Sequence, residues 1–118
     1  MTSTPIQIDL SYLYSITDGD KSFEQILLTG TVSDVDSLVS GLKASWKGHD
    51  AAGIRKSAHQ LVSLAAIAGM PQVTDWSRKL DEAFADGMFH PELAGLADNI
   101  ILGWPAVKSQ LEKMIDAN

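Results

Sequence analysis

The chain of 118 residues has no cysteine, which excludes a disulfide framework, a thiolate zinc site and a cysteine nucleophile, and suits a reducing cytosol. Long apolar runs are missing too. The longest, residues 64–67 extended by Ala68 and Met70, falls far short of the ~20 residues that cross a bilayer. Residues 1–5 have no basic region followed by an apolar stretch, so residues 1–7 read as a short disordered lead and not as a secretory signal. Basic residues are few: nine Lys and Arg against fifteen Asp and Glu leave a net charge of -6. That balance disfavours phosphate backbones and anionic lipid surfaces. The expectation is a soluble cytoplasmic protein with neither nucleic acid nor membrane as a partner.

Reactive groups are equally sparse. Histidine occurs three times, at 49, 59 and 90, and no two lie four apart on one helix beside carboxylates, so no metal is expected. No Gly-x-Ser-x-Gly elbow is present, nor a Gly-rich loop followed by Lys-Ser or Lys-Thr, which argues against hydrolase and NTPase chemistry. Asp34 with Asp36, and Asp81 with Glu82, read as solvated carboxylates on helix faces. His49, beside Gly48, and His90, before Pro91, read as solvated loop residues.

What the chain does have is apolar spacing of three and four almost throughout, with no sustained alternation of period two. Five helical segments follow. A short one covers residues 8–16, with Asp9 as its cap. A long one opens near Asp20 or Ser22, where Ser22 and Gln25 have capping-box spacing. It aligns Phe23, Ile26, Leu27, Val35, Leu38, Val39, Leu42 and Trp46, and Gly30 marks a bend or a close crossing. Asp50 caps the third, which stops at Gly69-Met70-Pro71. Pro71 starts the fourth, through Val73, Trp76, Leu80 and Phe84, and Pro91 opens the fifth, which Gly103-Trp104-Pro105 kinks or splits. Short turns between four substantial helices predict an all-α antiparallel four-helix bundle with a short extra N-terminal helix. Residues 1–118 then form one domain, a length that buries about two thirds of its unfolded surface. Trp46, Trp76 and Trp104 each join an apolar stripe and read as core or core-edge anchors.

On the third helix one residue breaks the pattern. With about 100° of turn per residue, a stripe centred on Leu61 includes Ile54, Ala58, Ala65 and Ala68, and His59 stands about 160° away from it. Ala52, Arg55, Lys56, Ser63 and Ala66 flank it on that outer face. A neutral imidazole is a good nucleophile near pH 7. Arg55 and Lys56, one turn back, are placed to neutralise a phosphoryl group on the ring, and Ser63 to hydrogen-bond it.

Ala58-His59-Gln60-Leu61, Ser63, Gly69-Met70, Val73 and Leu80-Asp81 together resemble the signature of the histidine-containing phosphotransfer (HPt) domain of bacterial phosphorelays. In that signature Ala-His-x-Leu-Lys is followed by Gly or Ser, a Gly ends the helix, and a Leu-Glu pair lies on the next. The resemblance extends over the residues 8–13 and the long second helix. It implies a phosphocarrier with no kinase or hydrolase activity and no cofactor of its own. His59 would take a phosphoryl group from a receiver-domain aspartate and pass it to another receiver, which supplies Mg²⁺. Partners would be response-regulator receiver domains or a hybrid sensor kinase, and the chain would be a monomer. Ala52 and Ala66 would floor the docking patch, with Arg55, Lys56, Val62 and Ser63 around it.

Two residues depart from the signature. Val62 stands where it has lysine, and Asp81 where it has glutamate. A non-phosphorylated helical adaptor, which binds a receiver or another signalling protein with His59 incidental, is the rival reading. The dimerising domain of a sensor kinase fits less well, because Gln60 and not an acid follows His59. If the missing lysine limits transfer, Val62→Lys speeds phosphoryl transfer to His59 from a phosphorylated receiver, measured by rapid quench; an unchanged rate removes that limit.

Overall fold

A computed structural model describes residues 5–117. Helices α1 (Ser11–Thr17), α2 (Lys21–Lys47), α3 (Ala51–Ile67), α4 (Pro71–Ala83) and α5 (Ala94–Asp116) follow in order. Two short 3₁₀ turns, Phe84–Asp86 and Pro91–Leu93, lie between α4 and α5. The four long helices pack as a ring, α2 on α3, α3 on α4, α4 on α5 and α5 back on α2, while α1 rests on α2 and α3. Three-residue turns at 48–50 and 68–70 make the consecutive helices antiparallel. Leu13, Val35, Leu42, Ile54, Leu61, Leu80, Ile100 and Leu111, drawn from all five helices, belong to one buried cluster. This is the expected all-α bundle with its short N-terminal helix.

Side-chain capping decides where α2 and α3 begin. Asp20 accepts the Phe23 N–H at 3.0 Å, so α2 starts at Lys21 and Ser22 lies inside it. Asp50 does the same for α3 by accepting the Gly53 N–H at 3.0 Å. The α2 helix continues unbroken through Gly30, where a Cβ would meet nothing within 4 Å, so no close crossing lies there. At Gly41 a Cβ would come into ordinary contact with α3, 3.4 Å from Ser57 Oγ. Helix α5 is not split by Pro105, which sits within it, and it begins after the Pro91–Leu93 turn.

The first turns of α2 depart from the expected core face. Phe23 and Ile26 are exposed, at 46% and 72%, while Glu24 is buried. Polar contacts set this rotation. Glu24 lies 3.4 Å from Thr17 Oγ1 and 3.7 Å from Lys21 Nζ, and Gln25 Nε2 donates to the Ile115 carbonyl at 3.0 Å.

Of the lead expected over 1–7, residues 1–4 lie outside the described residues. From residue 5 onward the chain is laid on the bundle, not left loose. Ile6, Ile8 and Leu10 pack against the core, and the Gln7 N–H donates to Gln72 Oε1 at 2.6 Å. Asp9 accepts from the Ser11 N–H and hydroxyl at 3.0 and 2.6 Å, which lowers its pKa; it is not the cap expected of it, because Leu10 holds that position of α1 and Asp9 precedes it. The Asp9 N–H in turn donates to the Gly69 carbonyl at 2.7 Å.

Gly69 therefore meets two demands at once. Its φ is +77°, and a Cβ there would lie 2.5 Å from the Asp9 carbonyl oxygen. A left-handed non-glycine costs roughly 1–2 kcal/mol, and the clash with backbone adds to it. Gly69→Ala is expected to destabilise the bundle by about 2 kcal/mol or more in urea unfolding and to free the Asp9 amide to exchange; a loss below half of that contradicts the contact.

Candidate functional site

Ile54, Ala58, Leu61, Ala65 and Ala68 are all fully buried, as the stripe on α3 requires, and this turns the opposite face outward. The His59 side chain is 73% exposed. Because Ala58 and Ala65 are small, α4 lies close against α3, and Thr74 Oγ1 of α4 donates to the Val62 carbonyl at 3.2 Å. That packing carries Asp81 to the histidine. His59 Nδ1 lies 2.9 Å from Asp81 Oδ2, and Arg55 Nε donates to Asp81 Oδ1 at 3.3 Å. The expectation that Asp81 is a plain solvated carboxylate is thus overturned, since its side chain is only 19% exposed.

The carboxylate fixes the chemistry of the ring. An ionised carboxylate only accepts, so Nδ1 must carry the proton, and a neutral ring then has its lone pair on Nε2. The His59 hydrogen bond, and secondarily Arg55, hold the Asp81 pKa below the ordinary carboxylate value. Asp81 is therefore ionised at neutral pH. Arg55, expected to face a phosphoryl group, instead spends its Nε on Asp81.

Two hollows flank the ring. One, of about 430 Å³, is lined by Ala52, Arg55, Lys56, His59 and Gln60 of α3 and by Phe84, Ala85 and Gly87. The other, of about 260 Å³, is lined by His59, Val62, Ser63, Arg78 and Asp81. Ala66 lies farther along α3 in a third, with Asp9, Tyr12 and Pro71 among its walls. The residues singled out from sequence thus share one face but divide between hollows. Arg78 had been missed: it lies three residues before Asp81, on the same face of α4, but nothing in the sequence ties that face to His59. Among the described residues no cluster of His, Asp and Glu fit for a metal occurs, and no helix is long and apolar enough to cross a membrane.

No family model matches the sequence, and no curated protein matches it significantly. Solved structures do match. Histidine-containing phosphotransfer protein B (HptB) of Pseudomonas aeruginosa PAO1 aligns over 94% of this chain and 96% of its own, with a TM-score of 0.79 at 18% identity. The HPT domain of a sensor hybrid histidine kinase from Shewanella aligns over 90% of this chain and 94% of its own, with a TM-score of 0.69 at 15% identity. The fold is that of an HPt domain.

In this HPt fold the wall beside His59 is continued by the segment between α4 and α5, which makes more contacts than its loop-like sequence suggests. His49, with φ +53°, stacks on Phe89 at 4.2 Å, and Phe89 meets Trp46 edge-on at 5.0 Å. His90 is not a solvated loop residue. Its Nε2 lies 2.9 Å from Asp86 Oδ2, its Nδ1 lies 3.7 Å from Glu92, and its ring packs edge-on against Phe84.

Carboxylates at both nitrogens favour the doubly protonated ring. The Asp86 hydrogen bond first, then the charges of Asp86 and Glu92, raise the His90 pKa above its ordinary value. The Met88 N–H first, then His90, lower that of Asp86. His90 therefore contributes stability fully below its unfolded value of about 6.5, lost as pH rises through the higher folded value; Asp86 contributes above about 3.9, lost as pH falls through its lower folded value. His90→Gln is expected to be less stable than wild type in urea at pH 5.5, with the gap closing by pH 8.5. An equal gap at both pH values would assign the loss to packing on Phe84.

Proposed function

We propose that the chain is a phosphorelay intermediate that accepts a phosphoryl group on His59 Nε2 from a receiver-domain aspartate and passes it to another receiver. The observation that carries this is the 2.9 Å contact of His59 Nδ1 with Asp81 on a ring that is 73% exposed. It leaves Nε2 as the free nucleophile and gives it a fixed direction. As the Nε2–P bond forms, the P–O bond of the aspartyl phosphate breaks and its electron pair returns to the receiver's carboxylate. The ring keeps its Nδ1 proton and becomes a phosphoimidazolium, whose positive charge faces the Asp81 carboxylate. Because that proton is retained, the ring stays a good leaving group for the return step.

Loose phosphoryl transfer asks the protein for position and charge more than for covalent chemistry. The receiver brings Mg²⁺, and this chain brings the nucleophile. Asp81 is already engaged by Nδ1 and Arg55, so it is not free to activate water, which fits a carrier that does not hydrolyse its own phosphoryl group. Ala52, Ala85 and Gly87 beside the ring allow a partner's backbone to approach, and Ala66 extends that small-residue face farther along α3. The reading implies receiver domains or a hybrid sensor kinase as partners, and a monomeric cytoplasmic protein.

Incubation with phosphorylated receivers and Mg²⁺ tests it. Wild type is expected to gain an alkali-stable, acid-labile phosphoryl group that His59→Ala never acquires, while Asp81→Asn gains it about tenfold or more slowly. Receiver binding without any labelling of wild type would overturn the reading in favour of a helical adaptor.

A further inference from the structure

The smaller hollow beside His59 contains a cation with nothing to pair with. Arg78 lines it together with His59, Val62, Ser63 and Asp81, and it makes no hydrogen bond or ion pair among the described residues. Its neighbours are otherwise occupied or placed. Arg55 Nε is held by Asp81, Lys79 Nζ lies 3.4 Å from Asp75, and Lys56 lines the opposite hollow. Val62 contributes an apolar wall, and Ser63 an exposed hydroxyl with no partner among the described residues.

We propose that Arg78 and Ser63 form an oxyanion subsite for the phosphoryl group carried by His59, so that α4, not α3, supplies the principal charge on its oxygens. The inference rests on the phosphocarrier reading and deepens it. A guanidinium presents a planar fork that engages two oxygens of a tetrahedral dianion, and the serine hydroxyl donates to a third. Asp81 in the same hollow would repel a dianion, but its two oxygens already face Nδ1 and Arg55. The Val62 wall removes water from one side and strengthens the remaining attraction.

The test uses phosphoramidate, which needs no partner. Its N–P bond breaks as the Nε2–P bond forms, and its nitrogen leaves as ammonia. Arg78→Ala is expected to slow phosphorylation of His59 about tenfold, Arg78→Lys to recover part of the rate, and Val62→Lys added to Arg78→Ala to recover it by returning a cation to the same hollow. Lys79→Ala reports the general effect of removing a positive charge from α4. The subsite is refuted if Arg78→Ala reacts at the wild-type rate, or if Lys79→Ala is slowed as much. Should wild type fail to react, the receiver assay alone decides the phosphocarrier reading, and titration with inorganic phosphate decides the subsite. Shifts of the Arg78 side-chain N–H signal and of Ser63 that vanish for Ser63 in Arg78→Ala support it; unmoved signals in wild type overturn it.

Discussion

The register between α3 and α4 is the constraint on which the site depends. In an antiparallel helix pair, residues equidistant from the turn come face to face. His59 and Asp81 stand eleven residues before and after Met70, and Val62 and Arg78 stand eight before and after it. One residue more or fewer in the turn would rotate α4 by about 100° about its axis and carry both side chains away from the imidazole. Gly69 holds that register. It takes a left-handed conformation that ends α3, and its carbonyl accepts the Asp9 N–H. The N-terminal segment therefore does more than cover apolar surface: it clamps the turn from which the site geometry follows.

Charge at the site runs against charge on the chain as a whole. The net charge is -6, yet Arg55, Lys56 and Arg78 border the hollows on either side of His59. Since screening limits exposed charges to about 8–10 Å at ordinary salt, an approaching anionic group responds to these three cations more than to the distant carboxylates. Asp81 is the acid among them, and sharing it between an arginine and the imidazole keeps it from acting as a repulsive charge. The faces that join α2 to α5 follow the same logic. Asp36 accepts from Trp104 Nε1 at 2.9 Å and meets Lys108 Nζ at 3.2 Å, which lowers its pKa and ties α2 to α5 without a buried unpaired charge.

What could be read from the sequence was what depends on a single helix. The α3 stripe of Ile54, Ala58, Leu61 and Ala65, and the outward face that includes His59, follow from a period of 3.6 residues alone. Gly69-Met70-Pro71 likewise carries its own stop and start signals. Asp81 and Arg78 were not legible as site residues, because their meaning arises only when α4 folds back in one particular register. Phe23 and Ile26 misled for a related reason: Glu24 and Gln25 are drawn to Thr17 and the Ile115 carbonyl, and these distant contacts outweigh local apolar spacing. His90 was missed because the segment between α4 and α5 has no period from which a facing partner could be inferred.

A carrier must both accept and release its cargo, and the placement of Asp81 bears on that balance. On the proposed reading, its carboxylate stabilises the phosphoimidazolium, which favours arrival, and in doing so keeps the Nδ1 proton that favours departure. A wholly buried carboxylate would bind the charged ring in a medium of low dielectric and deepen the well in which the phosphoryl group rests. A wholly exposed one would be screened and would lose the ring's orientation. Asp81, at 19% exposure and shared with Arg55, lies between these limits: close enough to choose the tautomer, and weakened enough by the arginine that the phosphoryl group can leave.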